Sequence, residues 1–306
     1  MRRTFFALLI LVLAACGGTP AASLAPSSSA SATASAAASF PLTVSDFQDR
    51  SVTVPKRPER VVSIGPSNTE FLFALGAGDR VVGVDDFSDE PDAAKAKNKV
   101  GGVKPNVEQI VSLRPDLVVS VKISDGSLER LAAQGLVVLV VNPQSAADVA
   151  RTAVLLGRAI GADGDALAKS IQTGLDAVRA KAASLRKKRV YHEIDASDPN
   201  KLYTVGPGSF VHDLIGLAGG INIAANAGSQ YPQLSPEEIV RADPEVIVFA
   251  SFGVTPEQIA ARPGWSVITA VKTKRVLRVE GSLMSRPGPR LAQAAEAYYQ
   301  ILAASP

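Results

Sequence analysis

Apolar positions fall into distinct regimes along this chain. Phe5 to Ala15 is an unbroken apolar run of 11 residues, well short of the ~20 that a bilayer-spanning helix needs. Ala21 to Ser39 is almost entirely Ala and Ser, with no apolar periodicity and no charge. Such a tract buries no core and is expected to behave as a flexible tether, with roughly 25–30 Å of reach for about 24 residues. Beyond it, short β-branched runs alternate with apolar positions at helical spacing. The pattern predicts strands at 60–64, 81–85, 116–121 and 136–141, and helices near 68–76, 106–113 and 126–134. That alternation implies a parallel or mixed sheet with helices on its faces.

The period changes at Ala146. Val149, Ala153, Leu156 and Ile160, then Leu167, Ile171, Leu175 and Val178, recur at helical spacing, with Gly161-Ala-Asp-Gly164 as the one break. The strand–helix pattern restarts at Arg189-Val-Tyr. The expected fold is therefore α/β. Two related lobes, each a central mostly parallel sheet with flanking helices, are joined by one long linking helix. A helical strut favours a few degrees of rocking over wide hinge closure. The expected boundaries are a signal peptide at 1–15, a lipidated cysteine and tether at 16–40, an N-terminal lobe at 41–145, the linking helix region at 146–187 and a C-terminal lobe at 188–306.

The lobes share an internal repeat. Asn106-Val-Glu-Gln-Ile-Val-Ser-Leu-Arg-Pro-Asp-Leu-Val-Val119 matches Ser235-Pro-Glu-Glu-Ile-Val-Arg-Ala-Asp-Pro-Glu-Val-Ile-Val248. In each, a polar N-cap opens a short helix, Glu108 or Glu237 falls at its second position, and a proline precedes a buried strand. A weaker pair relates Gly65-Pro-Ser-Asn and Leu75-Gly-Ala-Gly78 to Gly206-Pro-Gly-Ser and Leu217-Ala-Gly-Gly220.

Cys16 is the only cysteine. Arg2 and Arg3, the short apolar run and the small residues before Cys16 make a secretory signal. A plain cut at Ala-x-Ala would leave the cysteine incidental. The order Leu13-Ala-Ala-Cys16, however, resembles the lipobox of bacterial lipoproteins, in which the cysteine carries acyl chains worth ~0.8 kcal/mol per buried methylene. The resemblance implies an anchor at Cys16 and an extracytoplasmic body held near a membrane. With the thiol so used, no disulfide, thiolate metal site or cysteine nucleophile remains.

Charge and motifs narrow the function. The 32 Lys and Arg, less Arg2 and Arg3, leave 30 against 29 Asp and Glu, a charge near +1. That lacks the basic excess of a nucleic-acid binder. No phosphate loop is present, Gly206-Pro-Gly-Ser209-Phe210 is not a nucleophile elbow, and His192 and His212 lie on separate elements. No catalytic constellation and no metal site stand out. His192 beside Glu193 reads as half a site or as a structural histidine.

Several motifs together resemble the substrate-binding proteins of ABC importers, in the subgroup for cobalamin, ferric siderophores and haem. They are Arg60-Val-Val-Ser-Ile-Gly-Pro-Ser-Asn-Thr-Glu70, Phe87-Ser-Asp-Glu-Pro91, the repeat itself, Tyr231-Pro-Gln-Leu-Ser-Pro-Glu237 and Ser285-Arg-Pro-Gly-Pro-Arg290. The resemblance covers roughly Phe47 to Ala304, with the cobalamin-binding branch nearest. It implies a non-enzymatic receptor without a cofactor, which captures a metal chelate between two lobes and delivers it to permease subunits. Glu108 and Glu237 are then the permease-docking pair. Phe87, Ser88, Val121, Lys122, Tyr231, Met284 and Arg286 are then the ligand contacts. Val103 and Val121 stand where that branch carries tryptophan. Met284 fits either a haem ligand or a gap filler. From the residues alone, an extracellular enzyme or a surface sensor on a similar body stays open.

Overall fold

The computed structural model describes residues 39–250 and 253–304. Cys16, the apolar run before it and all but the last residues of the tether lie outside those residues.

The N-terminal sheet is wholly parallel. Its order is Asn98–Lys99, Val81–Val84, Val61–Ile64, Leu117–Ser120 and Val138–Val140. Every residue of Val61–Ile64 and Leu117–Ser120 is buried. Helices on both faces explain why these strands read as continuous apolar runs. Successive residues alternate between two cores. Val61, Leu117 and Val119 pack with Phe71 and Leu72 of helix Pro66–Ala74. Val62, Ile64 and Val118 pack with Ile110 of helix Val107–Ser112 and Leu131 of helix Ser127–Ala133. An antiparallel hairpin, Leu42–Ser45 with Ser51–Val54, precedes this sheet.

The C-terminal sheet is mixed. Lys188–Asp195 lies beside Val246–Phe249, which pairs in parallel with Val276–Arg278. On its other side, Gly220–Asn222 pairs in parallel with its first residues, and Leu202–Thr204 runs antiparallel to its last ones. Gln233–Leu234 completes that edge. The second lobe thus inserts an antiparallel strand between its first strand and the helix that follows, Phe210–Leu217.

The linker differs from a single long helix. It is two helices, Ala146–Ile160 and Gly164–Ala182, packed on each other. The physical cause lies in the break residues. Gly161 caps the first helix in the left-handed region at φ 67°, and the Asp163 carboxylate starts the second by accepting from the Ala166 N–H at 2.9 Å. The sequence marks this break, but the helical period resumes in phase beyond it, so periodicity alone did not reveal that the chain folds back there. A Cβ on Gly157 would fall 2.4 Å from Gly164 Cα, and one on Gly164 would fall 2.2 Å from the Ala153 carbonyl oxygen. The close crossing therefore requires both glycines. One hydrophobic core runs from Val61 and Phe71 through Leu156 and Leu175 of this pair to Val190, Leu214 and Tyr298.

Both halves of the sequence repeat carry one structural lock. The Arg60 Nε donates to the Leu113 and Arg114 carbonyls at 3.1 and 3.2 Å. The Arg189 Nε donates to the Ala242 and Asp243 carbonyls at 3.1 and 2.8 Å. Arg114 and Asp243, each just before a proline, both adopt positive φ, 48° and 45°.

Candidate ligand cleft

The central strand of the N-terminal sheet, Val61–Ile64, stops abruptly at Gly65. Its φ of 108° and the Val121 Cγ1 atom, 2.5 Å from where a Cβ would stand, leave room for glycine alone. The buried Asp85 carboxylate then organises the strand ends. It accepts from the Gly65 N–H at 2.7 Å, the Phe87 N–H at 2.9 Å and the Ser88 hydroxyl at 2.7 Å. This fixes a loop that presents the Phe87 ring, 54% exposed, to solvent. A cavity of about 420 Å³ opens there, lined by Gly65, Phe87, Val103, Lys104, Val121 and Lys122 among others.

A second cavity of about 560 Å³ takes Asp89 and Glu90, from the same loop as Phe87, into its lining. Glu90, Glu193, Tyr231, Glu280, Met284 and Arg286 contribute to its walls. Tyr231, 44% exposed, supplies an aromatic face on the second lobe. The two cavities, one bordered by Phe87 and the other by Tyr231, together make the candidate cleft.

Ion pairs cross this cleft at its base. The buried Glu70 of the first lobe accepts from Arg290 Nε at 2.8 Å and from Arg286 Nη1 at 3.3 Å. Arg286 also meets Asp89 at 2.7 Å and the Phe87 carbonyl at 3.2 Å. Burial acts to raise the Asp89 pKa, but the Arg286 guanidinium outweighs it and holds Asp89 below the usual aspartate value. The Glu70 carboxylate raises the Arg290 pKa above its ordinary value. Deeper in the second lobe, Arg262 grips the fully buried Glu193 through two bonds of 2.5 and 2.9 Å. Its guanidinium lies 4.7 Å from the Trp265 ring centroid. His192 is buried and pairs through Nδ1 with the Tyr298 hydroxyl. Burial lowers the His192 pKa to about 4, so the ring is neutral at neutral pH.

The structure places the expected site residues unevenly. Phe87, Val121, Lys122, Tyr231, Met284 and Arg286 all line the cleft. Ser88 does not reach it. It is fully buried, with its hydroxyl on Asp85 and 2.8 Å from the Thr69 hydroxyl, so it holds the loop behind Phe87. Met284 is 2% exposed and belongs to the shared core, the setting of a gap filler. Arg286 spends its guanidinium on Glu70, Asp89 and Phe87. Sequence reading missed Glu70, Arg290 and Arg262. Their partners are 220 and 69 positions away, and no local spacing signals such pairs. Glu108 and Glu237 are both exposed at the second residue of their helices, outside the two cleft cavities. Among the described residues, no group of three or more His, Cys, Asp or Glu could hold a metal ion, and no helix is long and apolar enough to cross a membrane.

Residues 61–282 match the family described as periplasmic binding protein. The chain belongs to that family. This periplasmic binding protein is 38% identical over 267 residues to the uncharacterized ABC transporter substrate-binding lipoprotein YvrC of Bacillus subtilis, covering 84% of each chain. It is 34% identical over 313 aligned positions to a cobalamin-binding protein of Halobacterium salinarum, covering 95% of this chain and 82% of that one. Among solved structures, the apo periplasmic heme-binding protein RhuT of Roseiflexus sp. RS-1 superposes with a TM-score of 0.71 at 27% identity, covering 80% of this chain and 99% of that one. The present periplasmic binding protein is thus a substrate-binding component of an ABC importer. It works outside the cytoplasm with permease subunits, and it carries a transported ligand without catalysing a reaction.

Proposed function

We propose that this receptor is anchored through a lipidated Cys16, captures a corrinoid of the cobalamin type in the cleft, and delivers it unchanged through Glu108 and Glu237. The observation that carries the ligand reading is the cleft itself. Two exposed aromatic faces, Phe87 and Tyr231, border about 560 and 420 Å³ of space, which suits a bulky flat macrocycle. The cobalamin-binding relative supports the same reading. The docking assignment draws on two exposed carboxylates at repeat-related helix starts. The anchor assignment draws on the Leu-Ala-Ala-Cys motif and on a relative named as a lipoprotein.

Titration of the purified protein with cobalamin, cobinamide, haem and a ferric siderophore, followed by absorbance and intrinsic fluorescence, tests the ligand. Saturable one-to-one binding of the corrinoids with weaker binding of the others is expected. Preference for haem or the siderophore would replace the corrinoid reading with the second one, which the likeness to RhuT favours. Cys16→Ala should release the protein from the membrane fraction while leaving the titration unchanged. Retention of that variant in the membrane would end the anchor assignment.

A further inference from the structure

The two walls of the cleft carry different charge. On the first-lobe wall, Lys104 and Lys122 line the cavity with Phe87, Val103 and Val121. Both lysines are exposed, and neither ammonium donates a hydrogen bond to a described residue. Asp85 and Asp125 line that wall too and keep their negative charge, so its two lysines and two carboxylates balance. Asp85 turns inward onto three donors of the fold, and Asp125 accepts from the Ser127 N–H at 2.8 Å, so neither makes a direct ion pair with the two ammoniums. The second cavity is not balanced. Asp89, Glu90, Glu193 and Glu280 all line it, and Arg286 is its only lining cation. Arg286 is committed to Glu70 and Asp89, Arg290 to Glu70 and Arg262 to Glu193. Glu90 accepts no hydrogen bond from a described residue. Glu280 caps the short helix Gly281–Ser285 through its carboxylate, which leaves it net negative.

We propose that these walls orient the ligand. Lys104 and Lys122 receive its anionic substituent, and the acidic second-lobe wall faces its uncharged amides. The proposal rests on the corrinoid reading. In a cobalamin-type ligand the anionic group is the single phosphodiester of the nucleotide loop, and the ring periphery is amide. An ammonium beside a phosphate makes a charge-assisted bond. The same phosphate against Glu90 and Glu280 would meet like charge without a free cation to offset it. The charges therefore set which way round the ligand sits between Phe87 and Tyr231.

Cobalamin and cobinamide separate this claim from the reading beneath it, because cobinamide keeps the ring and lacks the phosphate-bearing loop. Both should be titrated against wild type and the Lys104→Gln/Lys122→Gln double variant at low and high salt. The double variant should lower the cobalamin-to-cobinamide affinity ratio by about three- to tenfold at low salt. The gap should narrow at high salt, as screening requires. Lys122→Glu should lower the ratio further than Lys122→Gln. An unchanged ratio with both ligands bound would overturn the orientation while leaving the corrinoid reading intact. Failure of wild type to bind either corrinoid would overturn the corrinoid reading and the orientation with it. Both lysines are exposed, so the variants should melt with wild type, and melting curves verify it.

Discussion

Arg60 and Arg189 thread their guanidiniums onto the carbonyls of equivalent helix ends, Asp116 and Glu245 accept the N–H of those same arginines at 2.9 and 3.0 Å, and the return bonds to the Arg60 and Arg189 carbonyls measure 2.9 and 2.8 Å. At the starts of their central strands the two lobes are thus near copies. At the ends of the same strands they part. The first lobe reads Ser63, Ile64 and then Gly65, where the chain turns at once into a helix. The second reads His192, Glu193 and Ile194, and the strand runs on to pair with Leu202–Thr204. The conserved end holds each lobe together through backbone bonds that any ligand can ignore. The divergent end forms the cleft, where one wall is built on a glycine turn and the other on a buried ion pair. A repeated fold has kept its fastenings and varied its binding surface.

The proposed docking pair is where the lobes should act alike, and it gives the largest expected effect. Changing both Glu108 and Glu237 to Ala should abolish uptake while leaving ligand affinity unchanged, because both lie outside the cleft cavities. Each single change should cost uptake comparably, as two equivalent feet would. Reversal to Arg should be worse than Ala, since like charges across an interface are strongly unfavourable. If the two are only helix-dipole partners, the double change lowers stability by roughly 0.3–1 kcal/mol per site and uptake stays near normal. Uptake, affinity and melting temperature measured on one set of variants decide between these.

Glu193 is where the lobes should act differently. Its counterpart is Ile64, a core side chain. Glu193→Ala removes the acceptor of a largely buried Arg262 and should cost about 3–5 kcal/mol in denaturant unfolding. Carrying the apolar chemistry of the first lobe across, as Glu193→Ile with Arg262→Leu, should recover most of that loss, because replacing both members of a buried pair is often close to neutral. A double variant as unstable as the single one would show that the pair shapes the cleft wall beyond its charge.

The contrast also explains what was legible beforehand. Strands, helices and the repeat were readable because β-branched runs, N-caps and prolines act within a few residues. The place of Glu108 and Glu237 at the second residue of a short helix was readable because each lies within a motif that occurs twice. The orientation of Ser88 was not, because only the distant Thr69 and the turn at Asp85 decide which way its hydroxyl points. The break at Gly161 was visible, but the reversal into a hairpin escaped because the apolar period resumes in phase after it. The cleft's ion pairs escaped because they join residues brought together by the packing of two lobes.

His192 occupies the position of Ser63 and adds a pH dependence that the first lobe lacks. Its folded pKa, about 4, lies below the ordinary 6.5. Between these values the unfolded chain binds a proton that the folded chain refuses. The contribution is therefore fully present above pH 6.5 and is lost as pH falls towards 4, by roughly 3 kcal/mol in all. Carboxylates such as Asp46 and Glu245 have folded pKa values below 3.8 and 4.5, so their acid losses come lower. Unfolding measured from pH 6.5 to 5 should then slope downward in wild type and be nearly flat in His192→Asn. Equal slopes would mean that the buried ring takes up its proton in the folded state.

The smallest expected effect probes the end that the lobes share. Arg114 and Asp243 hold the same left-handed backbone ahead of a proline, a conformation that costs most residues about 1 kcal/mol and glycine nothing. The side chains differ. Arg114 is exposed and contributes its carbonyl to the Arg60 lock, which glycine would preserve. The Asp243 carboxylate accepts from the Thr269 N–H at 2.7 Å, the Thr269 hydroxyl at 2.9 Å and Arg189 at 3.2 Å. These bonds hold its pKa below the ordinary aspartate value. Arg114→Gly should therefore relieve strain and stabilise by a few tenths to about 1 kcal/mol, after the added freedom of glycine in the unfolded chain is offset. Asp243→Gly relieves the same strain but strands the Thr269 N–H, and should destabilise by about 1–2 kcal/mol. Denaturant unfolding of the two variants should shift in opposite directions. Shifts of the same sign would show that the backbone, rather than the carboxylate, sets the energy of this turn in both lobes.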